Sequence, residues 1–278
     1  MDKITILEWN IHQQGRKSTE IPMNILNYIT EDVDVAMLLE INGNSSNIDE
    51  FRKRLNDKGY GVYITDYKAC PYANDILIAV KENILIMEIR YYNAYNSTKL
   101  KNNTRNTIPE NLFISVEFNN KSFILAAIRI KDLDGDYKMR HEQMKNFVEW
   151  TDKMKIPIII MGDFNNLRDN TPIEDWNIKI LDQTIEGKFN RKTPNNMYSW
   201  GVAYDVDDKK YDGYIREDHL LYSTSLNINV DSVNYSWNYL IDNINNCNVG
   251  IVDRYGKRKI EINPGFPDHA SLKVCLEL

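Results

Sequence analysis

The chain has 278 residues, 42% hydrophobic and 27% charged, a globular rather than disordered composition with length enough for a large α/β core. Its formal net charge of −6 argues against a protein held on nucleic acid by a broad basic surface, although carboxylates gathered round a cation would themselves lower that charge. No apolar run approaches the roughly 18 residues a membrane helix needs, so no membrane insertion is expected.

The N-terminal "MDKITILEWN" passes straight into a strand pattern without a small-residue cleavage site. It does not read as a signal peptide, and a cytoplasmic protein is expected. Within 3–11, Ile4, Ile6, Glu8 and Asn10 share one face, and Thr5, Leu7, Trp9 and Ile11 the other. A helical stretch at 22–30 precedes a strand at 33–41. Residues 47–58 place Ile48, Phe51 and Leu55 on one helical stripe. Strands follow at 61–66, 75–80 and 84–91, and then a long loop rich in Asn, Thr and Tyr over 92–110. Residues 111–118 and 122–130 form a hairpin turning at Asn119-Asn120. A helix at 136–154 leads into a strand at 156–161, and later strands fit 218–223, 226–233 and 268–276. The stretch 234–266 reads in part as loop. No linker or repeat interrupts the chain, so 1–278 is taken as one domain. Hairpins mixed with helical connections suggest mixed sheets covered by helices, not a doubly wound parallel sheet. Cys70, Cys247 and Cys275 are an odd number at no metal-like spacing and read as reduced thiols.

Several otherwise apolar strands end or begin in acid or amide groups. Asn10 closes "ILEWN", Glu40 closes "VAMLLE", and Asp163 and Asn165 follow "PIIIM". Asp268-His269 open the last strand, and Asp218-His219 open "DHLLYS". Singly, each is an ordinary turn residue or surface pair. Together they supply the oxygen ligands a hard divalent cation such as Mg2+ needs, and a His among them can act as acid, base or phosphate ligand.

In their order, "WNI", "LLEIN", "GDFNN", "EDHLLYS" and "PDHASLKV" resemble the endonuclease/exonuclease/phosphatase superfamily, over residues 4–276. The resemblance implies a deoxyribonuclease I-like fold: a four-layer α/β sandwich, two mixed β-sheets packed face to face and flanked by helices. It implies Mg2+, with Mn2+ able to substitute, bound by Glu40 with Asn10 beside it and Asp268 contributing. By the same similarity Asp163 would orient and deprotonate the attacking water, and Asn165 would donate to the phosphoryl oxygen. His269 would contact the phosphate or help proton transfer, held in its tautomer by Asp218. The expected activity is phosphoester hydrolysis, with a nuclease acting on DNA or RNA as the leading form. Hydrolysis of a small phosphoester or lipid headgroup is the alternative, and an inactive binding module on the same fold is a third reading. Nucleic acid or a small phosphoester is the expected partner, with no obligate protein partner.

The chain departs from the family at "AAIRIKD", where Arg129 stands in place of a frequent His. Arg129 is either a bidentate phosphate contact or an exposed strand-end residue, and in neither case a base at neutral pH. Arg140 projects between Met144 and Phe147 on the sheet-facing side of its helix with Gln143 at the edge. It either bonds strand-end carbonyls or meets substrate. Trp200 and Arg216 resemble a family substrate segment, but a Trp equally packs in a core. His12, His141 and His219 have no partner assignable from spacing. Aromatics interleaved with cations at 92–110 and 234–266, among them Arg254, Lys257 and Arg258, suit unstacked bases or simply pack those segments.

Overall fold

The computed structural model describes every residue except 1–2, 14–19, 66–74, 93–110, 132–136, 168–175, 206–209, 255–256 and 264. The loop expected at 92–110 lies outside the described residues from position 93 onward. The first strands are β1 (Lys3–Asn10), β2 (Val35–Ile41), β3 (Tyr60–Ile64), β4 (Asp75–Lys81), β5 (Leu85–Tyr92), β6 (Asn111–Phe118), β7 (Lys121–Arg129) and β8 (Ile158–Asp163). After them come β9 (Phe189–Lys192), β10 (Ala203–Asp205), β11 (Lys210–Asp212), β12 (Asp218–Ser223), β13 (Asn229–Ser236), β14 (Asn248–Arg254), β15 (Lys257–Ile262) and β16 (Ser271–Glu277). The helices are α1 (Ile48–Asp57), α2 (Tyr137–Thr151), α3 (Ile178–Ile185) and α4 (Asn238–Cys247).

Two six-stranded sheets carry the fold, ordered β13-β16-β1-β2-β4-β3 and β5-β6-β7-β8-β12-β9. Each is mixed, with one parallel pair at its centre: β1 beside β2 in the first, β7 beside β8 in the second. Period-2 alternation sorts the side chains into layers. Ile4, Ile6, Met37 and Leu39 meet Leu125, Ala127, Ile159 and Met161 in the core between the sheets. Leu7 and Leu38 face outward against Phe51 and Leu55 of α1. On the other outer face Ile128 and Ile160 pack on Met144 and Phe147 of α2 and on Leu181 of α3. Full burial of such a Phe or Leu contributes about 1.5–3 kcal/mol. The result is the helix–sheet–sheet–helix sandwich expected. The hairpin also turns where expected, with Asn119 and Asn120 at φ of 50° and 61°, as a two-residue turn between twisted strands requires.

The helical stretch expected at 22–30 is a single 3-10 segment, Met23–Asn27, entered from Pro22. The stretch 234–266 is largely ordered: α4 leads into β14 and β15, which join β10 and β11 in a separate four-stranded sheet. The Asn-rich segment "NYLIDNINNC" is helical on either side of a kink at Asn243, and burial of Tyr239 and Leu240 against the body, not propensity, sustains it. Arg254, Lys257 and Arg258 therefore belong to paired strands and not to a loop; their side chains are outside the described residues. The short α3 is capped by Asn177, whose side chain accepts from the backbone N–H groups of Lys179 (2.9 Å) and Ile180 (3.1 Å). Among the described residues Cys275 is a free thiol, and no helix is long and apolar enough to cross a membrane.

Candidate active site

The two central parallel pairs end at the same edge of the sandwich, which gathers polar strand ends from both sheets. On β1 the alternation that sends Ile4 and Ile6 between the sheets also sends Glu8 and Asn10 there. On β8 it does the same for Asp163, following Ile159 and Met161. On β7 it turns Arg129 inward after Leu125 and Ala127. β12 runs antiparallel to β8 and opens with Asp218 opposite Asp163. Glu40 breaks the rule. Alternation would turn it outward with Ala36 and Leu38, but a bulge between Leu38 and Ile41 and a φ of 53° at Glu40 swing its carboxylate to the edge. Gly162 is required by close approach, since a Cβ there would sit 1.9 Å from the Ile128 carbonyl oxygen.

The Asn10 amide is the hub. Its Nδ2 donates to Glu40 Oε1 and to Asp163 Oδ2, each at 3.1 Å, and lies 3.5 Å from His269 Nε2. Its Oδ1 accepts from the His12 backbone N–H at 3.0 Å. Asp163 Oδ1 accepts from Asn165 N at 2.8 Å, and Asp163 Oδ2 accepts from Asn165 Nδ2 at 2.9 Å. The second amide hydrogen of Asn165 goes to the Ile130 carbonyl at 2.7 Å. Asn165, held at φ of 47°, thus spends its donors on aiming Asp163 and holding the β7 exit, not on an open phosphoryl position. His269 Nδ1 meets Asp218 Oδ2 at 2.9 Å, and the His269 carbonyl accepts from Trp9 Nε1 at 3.0 Å. Arg129 is only 6% exposed, which rules out the exposed-residue reading. Its Nη2 is ion-paired with Glu40 Oε1, and its Nε lies 3.7 Å from Asp163 Oδ2.

This burial sets the titration of the site. Burial raises Asp163 to about 6, with His269 and Arg129 pulling down and Asp218 and Glu40 pushing up. His269 goes the other way: burial lowers it, but the charge of Asp218 and the hydrogen bond to it outweigh that, with Asp163 and Asp268 adding, and it ends well above the usual His range. His269 is therefore an imidazolium near neutral pH. Its Nδ1–H donates to Asp218, and both hydrogens of the Asn10 amide remain with the two carboxylates. The protonated Nε2 lies 3.9 Å from Asp268 Oδ1 and 3.5 Å from Asn10 Nδ2.

The remaining candidates are placed as follows. Asp268 lies beside His12, Oδ1 to Nδ1 at 3.3 Å, and His12 is 3.8 Å from Glu40 Oε2. Arg140 donates from Nη1 to the Asn165 carbonyl, one of the two roles foreseen for it, while Gln143 clamps both backbone groups of Lys131 at 3.0 Å. Trp200 is half-buried, bridged through its backbone to His269 and set edge-on to Tyr214. Arg216 grips the Met197 and Asn195 carbonyls and stacks on Tyr198, so it shapes the segment before Trp200. His219 binds Thr193 and Asn166, and His141 binds Thr184.

Two buried carboxyls were missed by the sequence reasoning. Glu8 is 0% exposed, and neither of its oxygens has a hydrogen-bond partner among the described residues. Burial, then the charges of Asp218 and Asp163, push it well above the carboxylate range. Glu217 is raised by burial and by Asp163. The signal for Glu8 was present: a charged residue on the Ile4–Ile6 face. Glu217 sits among ordinary strand-entry polar residues and gave no signal.

Among the described residues no group of three or more His, Cys, Asp or Glu forms a metal cage. The donor set still fits a hard cation that keeps most of its waters. Glu40 and Asp268 each bring a carboxylate oxygen close to His12 Nδ1, at 3.8 and 3.3 Å, and the buried Asp268 Oδ1 accepts no hydrogen bond among the described residues.

No family model matches the sequence, and no curated protein matches it. Solved structures do. The fold is similar to Danio rerio TDP2 complexed with single-strand DNA product, at TM-score 0.65 and 12% identity over 100% of both chains. It is similar to an endonuclease/exonuclease/phosphatase family protein from Leptotrichia buccalis, at TM-score 0.64 and 13% identity over 99% of this chain and 100% of that one. It is also similar to the Bacteroides thetaiotaomicron mannosyl-6-phosphatase Bt3783, at TM-score 0.59 and 14% identity over 99% and 100%. The chain shares the fold of these structures, a deoxyribonuclease I-like sandwich.

Proposed function

From that fold and the buried strand-end network, we propose that residues 1–278 act as one catalytic domain that hydrolyses phosphoesters with a divalent cation, Mg2+ or Mn2+. The observation that carries the reading is the Asn10 amide bridging Glu40 and Asp163 beside the Asp218–His269 pair. Glu40 and Asp268 would hold the cation, which supplies charge neutralisation at the phosphate. Asp163, aimed by Asn10 and Asn165, takes a proton from the attacking water. The water oxygen bonds phosphorus as the ester P–O bond breaks, and the departing oxygen receives the proton of His269 Nε2. Asp218 holds that imidazolium in place, and Arg129 offers its planar fork to a phosphate oxygen.

The first specific substrate is a polynucleotide, a reading supported by the single-strand DNA product in the D. rerio TDP2 structure. A small phosphoester is the second, favoured by the net charge of −6 and by the mannosyl-6-phosphatase on the same fold. A panel of single-strand DNA, RNA, sugar phosphates and a chromogenic phosphodiester, each with Mg2+ or Mn2+, separates them. Hydrolysis of at least one, abolished by chelation and restored by either ion, is expected. Full activity in excess chelator, or no hydrolysis across the panel, would overturn the reading.

A further inference from the structure

Arg129 stands between the carboxylate assigned to the cation and the carboxylate assigned as base. It is the last residue of β7, opposite Asp163 in the parallel pair, and its backbone N–H donates to Asn111 Oδ1 at 3.2 Å. Its guanidinium is buried, ion-paired to Glu40 through Nη2, and 3.7 Å from Asp163 through Nε. A guanidinium keeps its charge at every working pH and presents five donors in a rigid plane. A dipositive ion on Glu40 therefore meets a cation already bound to the same carboxylate, in a buried setting where solvent screens little. A group released from Glu40 there remains anchored at the β7 end, beside the point a phosphate must occupy to be reached by water on Asp163.

Resting on the phosphoesterase reading, we propose that Arg129 competes with the divalent cation for Glu40 and transfers to the substrate phosphate when the cation takes that carboxylate. The site then binds cation first and phosphate second, and its cation affinity is weaker than its carboxylates alone would give. A neutral His at this position would impose no such order, because it carries no charge to compete.

The test titrates wild type, Arg129→Met and Arg129→Lys with Mn2+ in the absence of substrate, by calorimetry and by the paramagnetic signal of bound ion. Roughly tenfold tighter Mn2+ binding is expected for Arg129→Met, which loses the charge-assisted competitor, with Arg129→Lys in between. In parallel, nitrogen-15 spectra of wild type follow the Arg129 Nε–H, assigned by its loss in Arg129→Lys. That signal is expected to move on adding Ca2+ and again on adding inorganic phosphate. This arm decides the matter even if Arg129→Met does not fold. Equal Mn2+ affinity in all three proteins, or an Nε–H signal unmoved by Ca2+, overturns the competition and leaves the phosphoesterase reading standing. Failure of every protein to bind Mn2+ overturns both.

Discussion

Asp218 and His219 are adjacent on β12, yet they belong to different regions of the molecule. Asp218 faces the space between the sheets, where it holds His269; His219 faces the helix layer beside Phe164. Both histidines are buried, at 5% and 0% exposure, and they titrate in opposite directions. His219 is driven well below the usual range by burial, with Arg191 and Arg216 adding to it. Its ring is neutral: the Thr193 hydroxyl donates to Nδ1, and Nε2–H donates to Asn166 Oδ1, both at 2.8 Å. His269 overcomes the same burial because Asp218, Asp163 and Asp268 surround it. Burial alone does not make a histidine chemical. The sign of the neighbouring charges does, and one step along a strand is enough to exchange them.

The largest effects should break the site and spare the other region. Asp163→Asn and His269→Ala are each expected to lower turnover by about 10²–10⁴-fold, the usual contribution of a positioned base or acid, with the fold intact by circular dichroism. The rate should rise as pH passes about 6, where Asp163 gives up its proton, and fall at higher pH as His269 loses its own. A rate that does not rise between pH 5 and 7 would contradict the assignment of Asp163.

His219→Ala should do the converse. Removing the ring leaves the Asn166 amide oxygen buried without that partner, at roughly 1–3 kcal/mol, and opens a cavity beside Phe164, while the half-buried Thr193 hydroxyl keeps Arg191 Nη1 at 2.6 Å. Asn166 also ties the segment after Asp163 to the Arg216 carbonyl at 2.8 Å, so the damage is to stability. Denaturant unfolding should show a loss of about 2–5 kcal/mol, while turnover per folded molecule stays within a few-fold. A variant as stable as wild type but inactive would place His219 in the chemistry instead.

How far the sequence disclosed this comparison depends on which force fixed each element. The central strands are apolar runs with regular alternation, and β1, β2, β6, β7, β8 and β12 were all legible from it. Asn10, Asp163, Asp218 and His269 were legible because they interrupt those runs at their ends. What escaped was set by tertiary contact. Glu40 was singled out as a strand-end acid, but the bulge and left-handed φ that carry it to the site are encoded by no pattern, and its metal role came only from the resemblance. α4 and the β14–β15 hairpin come from an Asn-rich segment whose local preferences favour turns. His219 had an ordinary neighbourhood in sequence; its partners Thr193 and Asn166 lie 26 and 53 positions away.

Glu8 gives the smallest effect and sharpens the comparison most, because it puts a second titratable group behind His269 with no assigned chemistry. Its carboxyl is fully buried on the inter-sheet face, with no hydrogen bond to either oxygen among the described residues, so the neutral acid is the form folding favours. A raised folded pKa means the native protein holds a proton that the unfolded chain releases above about 4.5. The stability this contributes is complete below that value and is lost as pH rises through the folded pKa. Glu217, raised well above its ordinary range by burial, acts in the same direction, while the contribution of Asp163 is lost as pH passes about 6. Wild type should therefore lose stability steadily as pH rises from 6 to 9. Glu8→Gln keeps the shape and removes the proton, so its stability should fall less over the same range. By pH 9 it should exceed wild type by roughly 1–3 kcal/mol, the scale of one buried polar group left unsatisfied. Urea denaturation of both proteins at pH 6, 7.5 and 9 measures the two slopes. Parallel slopes would mean that Glu8 ionises as freely in the folded chain as in the unfolded one, and the inter-sheet edge would then be wetter than its burial implies.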